Sequence, residues 1–300
     1  MPYFASRDGQ QLAYIDIGRG RPVVLLHGFG MRAAHWLPLL AGQQRHYRFI
    51  LPDLRGFGAS RDASWTDADV LDQAADDLDA LLSATRVDSP ILAGLSMGAC
   101  VSMRYLGKYG DAAISGYINI DQSPRVGNDA RWHWGLFGED QARRFSEFRA
   151  VLEVLDGHGP ETAYNRLPRR ARWRMEWMMA RFFGYAFASR ALAAGTVASV
   201  KLPLLGESLL PRRNWAALVD CMRAYSSYAY DFRDGLTGLR VPMAAFVGLR
   251  SRMYPPDGQR QFPRLVPTCR LVPFERAGHA LPFEAPWLFR RRIHETLASM

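Results

Sequence analysis

Gly94-Leu95-Ser96-Met97-Gly98 decides how the rest of this chain is read. The preceding Pro90-Ile91-Leu92-Ala93 has the length and flanks of a short buried strand, and the following Ala99-Cys100-Val101-Ser102-Met103-Arg104-Tyr105-Leu106 has helical spacing. A serine at a strand-to-helix turn of this kind is held in a strained backbone conformation that projects its hydroxyl, and the flanking glycines let strand and helix cross closely. The N–H of Met97 then opens a helix, where an amide points at negative charge forming beside the serine. Gly-x-Ser-x-Gly also arises by chance in a glycine-rich chain, so its surroundings must carry the reading.

Three further stretches supply those surroundings. His27-Gly28-Phe29-Gly30 follows the apolar run Pro22-Val23-Val24-Leu25-Leu26, and Asp53-Leu54-Arg55-Gly56-Phe57-Gly58-Ala59-Ser60 follows Tyr47-Arg48-Phe49-Ile50-Leu51-Pro52. Ala277-Gly278-His279 arrives near the C-terminus. In this order and spacing the four stretches resemble the α/β-hydrolase family, from about Gln11 to the final helix. The resemblance implies an α/β fold: a mostly parallel eight-stranded sheet flanked by helices, with a helical lid inserted after the sixth strand. It divides the chain into a core formed by 1–122 and 240–300 and a lid spanning 123–239.

The patterning along the chain agrees with that division. Asp8-Gly9 lies between two short alternating runs as a hairpin turn would, and strands then alternate with helices as in a mostly parallel sheet. Ile114-Ser115-Gly116-Tyr117-Ile118-Asn119-Ile120 is the strand after the serine helix. From Ser123 to Leu239 the alternation stops, and helical patterns broken by Pro160, Pro168, Pro203 and Pro211 replace it. The core resumes with Val241–Gly248, followed by the strand Cys269–Phe274 and an amphipathic helix from about Trp287.

Composition sets outer limits. A chain of 300 residues with 48% hydrophobic content can bury one large core with an insertion. The net charge of +9 is carried almost wholly by arginine, Lys108 and Lys201 being the only lysines, as codon bias in a GC-rich bacterial genome would produce. No basic tract with stacking aromatics, helix-turn-helix signature or zinc-finger spacing is present, so nucleic acid is not an expected partner. Cys100, Cys221 and Cys269 stand too far apart for a disulfide framework or a metal site and read as buried thiols of a reducing compartment. The first residues lack a signal-peptide pattern, and no run of about 18 apolar residues would span a membrane. A cytoplasmic, soluble protein without metal or cofactor is expected.

The chemistry follows residue by residue. A serine hydroxyl needs an adjacent base, and the Ala-Gly-His stretch ahead of Pro282-Phe283-Glu284-Ala285-Pro286 resembles the family's catalytic loop, which makes His279 the base for Ser96. His27 belongs to the oxyanion-loop motif; His35, His46, His133 and His158 have no motif around them, and His294 lies in the last helix. Most relatives carry the triad aspartate three residues after the glycine ending the seventh strand, where this chain has Ser251. Some haloalkane dehalogenases carry it after the sixth strand instead, where this chain has Asp121. Asp121 is therefore the expected acid, with Asp257 and Glu275 as the other carboxylates in range of the C-terminal loops.

By the same resemblance the oxyanion is expected to sit between the backbone N–H groups of Phe29 and Met97, while Arg55 and Gly56 brace a turn. Trp36, Trp177, Met178 and Phe182 are the expected pocket residues, the last three from the apolar stretch Trp173–Tyr185. The resulting expectation is a serine hydrolase of esters, thioesters or lactones with an apolar, medium-length acyl group. The Ser-Met-Gly elbow also matches cofactor-free haloperoxidases, and loss of the seventh-strand aspartate leaves room for a non-catalytic ligand-binding relative. Arg143, Arg144 and Arg149, with Arg166, Arg169, Arg170, Arg172 and Arg174, form two basic clusters that suit an acidic acyl carrier protein.

Overall fold

Successive residues of a strand face opposite sides of its sheet, and the central strands here are apolar at nearly every position. In β3 (Arg21–Leu26), Val24 and Leu26 enter one core while Val23 and Leu25 enter another. In β5 (Ile91–Leu95), Leu92 joins the first core and Ile91, Ala93 and Leu95 the second. A sheet that is greasy on both faces needs helices on both. The first face is covered by α1 (Val70–Thr85) and α2 (Met97–Tyr109). On the second face lie the turn Ala33–Trp36 with Leu39 and Leu40, and the C-terminal helix Pro286–Ser299, whose Phe289 stacks on Trp36.

The computed structural model describes residues 1–200, 210 and 212–300. Its sheet also contains β1 (Tyr3–Ala5), β2 (Gln11–Gly18), β4 (Tyr47–Pro52), β6 (Gly116–Ile120), β7 (Met243–Gly248) and β8 (Cys269–Phe274). The spatial order is β1-β2-β4-β3-β5-β6-β7-β8. The pairs β1/β2 and β2/β4 are antiparallel and all others parallel, so the eight-stranded, mostly parallel sheet expected from the sequence is the one observed. In such a sheet the loops at the carboxyl ends of the strands gather on one edge. His27, Asp53, Ser96, Asp121, Ser251 and His279 all follow strands at that edge.

Between β6 and β7 the chain runs through α3 (Gln141–Leu155), α4 (Arg169–Ala186), α5 (Arg190–Val200) and α6 (Trp215–Ser227). Pro168 immediately precedes α4, where its missing N–H costs nothing. Pro203 and Pro211 lie outside the described residues. The stretch Trp173–Tyr185 is not buried on most of its circumference: Met175, Met178, Met179 and Phe183 face inward, whereas Trp173 and Trp177 are exposed. Among the described residues no helix is long and apolar enough to cross a membrane. The three cysteines are unpaired and buried.

Arg55 braces the turn after β4, as the sequence suggests. It is fully buried, with Nη2 2.7 Å from Asp77 Oδ1 and Nη1 2.8 Å from Asp8 Oδ2. Removing one partner of a buried ion pair leaves an uncompensated charge and costs about 3–5 kcal/mol. Arg55→Met is therefore expected to lower the unfolding free energy by about that amount, read as a lower denaturant midpoint at unchanged slope.

Candidate active site

Ser96 sits between β5 and α2 with φ 53° and ψ −117°, a conformation that costs a non-glycine residue of order 1–3 kcal/mol and persists only when its surroundings impose it. Its N–H donates to Ile120 O at 3.1 Å, and its carbonyl accepts from Ala99 N at 2.8 Å and Cys100 N at 2.9 Å. The glycines of the motif are required by space. A Cβ on Gly94 would lie 2.4 Å from Gly98 O, and one on Gly98 would lie 2.7 Å from the carbonyls of Leu26 and His27. The elbow is thus clamped against the end of β3, and the loop carrying Phe29 begins there.

Asp121 ends β6 with φ 46° and a fully buried side chain. Its N–H donates to Phe246 O at 2.8 Å, which ties it to β7. The carboxylate accepts four hydrogen bonds: Oδ1 from Gly248 N at 2.7 Å and Gln259 Nε2 at 3.1 Å, and Oδ2 from Ser251 Oγ at 2.7 Å and His279 Nδ1 at 2.8 Å. A buried carboxylate is tolerable only when so compensated. Because an ionised carboxylate can only accept, Nδ1 of His279 carries the proton and Nε2 is left as an acceptor. Ser96 and His279 line the same cleft.

Of the other carboxylates, Asp257 is exposed and paired with Arg260 at 2.8 Å, and Glu275 is exposed. The sequence reading gives three residues of the site no role. Ser251 stands at the vacated seventh-strand position yet is joined to the acid itself. Gln259 lies eight residues beyond it in a separate turn, with no local signal to mark it. Glu284 holds the histidine loop: its Oε2 accepts from Gly278 N at 2.6 Å and its Oε1 from Ser189 N at 2.9 Å, while Ala280 N donates to Ala186 O at 2.8 Å.

His27 is buried, accepts from Leu54 N through Nε2 at 3.0 Å, and donates from Nδ1 to Gly28 O at 2.8 Å. Those two bonds fix a neutral tautomer and the loop that presents Phe29. Among the described residues neither Phe29 N–H nor Met97 N–H meets an acceptor of the chain. Phe29, Met97 and Ser96 border one small space.

The cleft holds about 260 Å³ and is mainly apolar, with Phe182, Phe183, Phe187, Met253 and Phe283 among its walls and His35, Thr196 and Ser199 as polar points. Of the four expected pocket residues, Phe182 alone lines it. Trp36 is fully buried on the far face of the sheet against Phe289. Trp177 is on the outer side of α4 with Arg181 over its ring. Met178 is buried between α3 and α4. On α4, helical phase, which turns neighbouring residues about 100° apart, separates Trp177 and Met178 from Phe182.

The first arginine cluster is also largely engaged. Arg143 pairs with Asp140 at 2.6 Å, and the buried Arg144 pairs with Glu147 at 2.7 Å beneath the ring of Tyr185. Arg166, Arg169 and Arg170 of the second cluster are exposed.

Residues 23–289 match the sequence model described as the alpha/beta hydrolase family, and the chain belongs to that family. It is 26% identical over 286 residues to the AB hydrolase superfamily protein YisY of Bacillus subtilis (strain 168), covering 94% of this chain and 93% of that one. It is 34% identical over 117 residues to a pimeloyl-[acyl-carrier protein] methyl ester esterase of Legionella pneumophila (strain Corby), covering 38% of this chain and 44% of the relative. The esterase EaEST from Exiguobacterium antarcticum superposes with a TM-score of 0.77 at 20% identity, over 99% of this chain and 98% of the other.

Burial lowers His35 to about 4, with nearby Arg32 adding to the effect, and burial likewise pushes His27 down against the pull of Asp53. In the unfolded chain both imidazoles take up protons near pH 6.5 while the folded ones stay neutral. The unfolded state then binds more protons, and stability is lost as pH falls from about 6.5 toward about 4. The denaturant midpoint should drop across that window, and His35→Phe should reduce the drop; an equal drop in the variant would contradict the assignment.

Proposed function

We propose that the chain is a serine-dependent hydrolase of carboxylic esters, working through an acyl-enzyme on Ser96, with His279 as base and Asp121 as its orienting acid. The observation that carries this reading is the 2.8 Å contact between His279 Nδ1 and Asp121 Oδ2, on a histidine that shares its cleft with a strained serine. Thioesters and lactones present the same acyl carbon to the same groups. The name of the Legionella relative, an ester esterase, is in keeping with this class.

Ser96 Oγ attacks the acyl carbon as His279 Nε2 takes its proton, and the carbonyl oxygen gains charge between the N–H groups of Phe29 and Met97. Asp121 holds the ring in the tautomer that can accept this proton and stabilises the imidazolium. The intermediate collapses as His279 returns the proton to the alkoxide leaving group. Water, deprotonated by the same imidazole, then attacks the acyl-serine and releases the acid. A merely ligand-binding protein would have no use for a strained serine or for a buried carboxylate that needs four donors. Arg143 and Arg144 are already ion-paired, so an acidic carrier is not required by this reading.

Ser96→Ala and His279→Ala are each expected to lower kcat on p-nitrophenyl acetate by about 10⁴–10⁶, with the double variant no worse than either, because the members act as a unit. A fluorophosphonate probe should label the unmodified chain and not Ser96→Ala; unchanged turnover in either variant would remove the assignment.

Asp121→Asn should cost about 10⁴ in kcat with little change in fold. Ser251→Ala, which deletes one hydrogen bond to a charged acceptor, should cost about tenfold. Since Ser251 Oγ lies 2.7 Å from Asp121 Oδ2, adding Ser251→Asp to Asp121→Asn should restore part of the lost rate. A fully active Asp121→Asn enzyme would overturn the acid assignment.

A further inference from the structure

Two spaces of very unequal size meet at Ser96. The cleft already described holds about 260 Å³ and is bordered by Ser96 and His279. A second space of about 20 Å³ also borders Ser96, with Met97 but not His279 among its walls. Its remaining walls include Leu136, Phe148, Cys221, Met222 and Tyr254. All five are buried in the main core, and a close-packed core does not yield an extra methylene cheaply.

Proton transfer tells the two spaces apart, given the ester-hydrolase reading on which this inference rests. The leaving oxygen takes its proton from His279, so the alcohol half of the substrate must lie on the His279 side, in the large cleft. The carbonyl oxygen is directed to the amides of Phe29 and Met97, which leaves the acyl substituent only the small space beyond Ser96. About 10–15 Å³ of such volume accommodates one water-sized group, so the small space admits one or two carbons. We infer that the substrates are esters of acetyl- to propionyl-sized acids with bulky, apolar alcohols.

The chemistry of the walls narrows the acyl group further. Burial holds the phenol of Tyr254 and the thiol of Cys221 protonated, and among the described residues no cation borders the small space. An acid with a second carboxylate would therefore be desolvated there without a partner. The sequence suggests the opposite partition, a medium-length acyl group, because the apolar stretch of α4 was read as acyl-binding. Phe183 of α4 instead lines the large cleft alone, while Phe182 and Phe29 stand between the two spaces and border both.

Hexyl acetate and methyl heptanoate are isomers, equal in composition and near-equal in hydrophobicity, and differ in which half of the ester is long. On the unmodified chain, kcat/KM for hexyl acetate is expected to exceed that for methyl heptanoate by at least tenfold. In Met222→Ala, and independently in Leu136→Ala, the hexanoate-to-acetate ratio on p-nitrophenyl esters should rise at least tenfold as the small space opens. Equal rates, or a preference for methyl heptanoate, overturn the partition while leaving an ester hydrolase in place. Fluorophosphonate labelling without hydrolysis of either isomer also overturns the partition. Failure of both labelling and hydrolysis overturns the ester-hydrolase reading itself.

Discussion

A single buried carboxylate imposes more order on this molecule than any other group. Asp121 is removed from water, so its charge must be met by donors from elsewhere in the chain. They come from the end of β7, from the loop that follows it, from the turn at Gln259 and from the histidine after β8. The carboxyl ends of three neighbouring parallel strands are in this way pulled onto one point. A Cβ on Gly248 would lie 2.2 Å from Gly278 O, so the approach of the histidine loop to β7 is as close as the backbone permits. The His279 ring is held with Nδ1 toward Asp121 as one of the four donors that offset its burial.

The same constraint explains how a carboxylate placed after β6 reaches His279. Strands β6 and β7 pair in parallel with Ile120 opposite Phe246, and the two strand ends lie side by side. The carboxylate stands at the end of β6 and faces His279, and the loop after β7 carries a hydroxyl that donates to it. Ser251 is thus part of the arrangement and not a relic of one. The strain at Ser96 is met in the same manner, by Ile120 O from the adjoining strand and by the helix that begins at Met97.

Much of the fold is legible in the chain because its signals are local. The apolar runs Tyr47–Pro52 and Cys269–Phe274 coincide with β4 and β8, and the other core strands differ from their apolar runs by a few residues at their ends. Ser96, His279 and Asp121 stand at strand ends, where short motifs mark position. Gln259 and Glu284 carry no such mark, since their roles depend on which loop lies opposite, a matter of tertiary approach. Three of the four expected pocket residues lie elsewhere for a related reason. Trp36, Trp177 and Met178 share the aromatic or apolar character of Phe182, and only helix phase and sheet face decide which of them meets the cleft.

The staple formed by Glu284 gives the molecule a mechanical property of its own. One carboxylate grips the backbone just before His279 and the backbone just after α4, and Ala280 is tied to the last residue of that helix. The helix that walls the cleft and the loop that bears His279 therefore share one anchor. A displacement of α4 that keeps these bonds carries the loop bearing His279 with it, so one wall of the cleft and the imidazole inside it form a single mechanical unit.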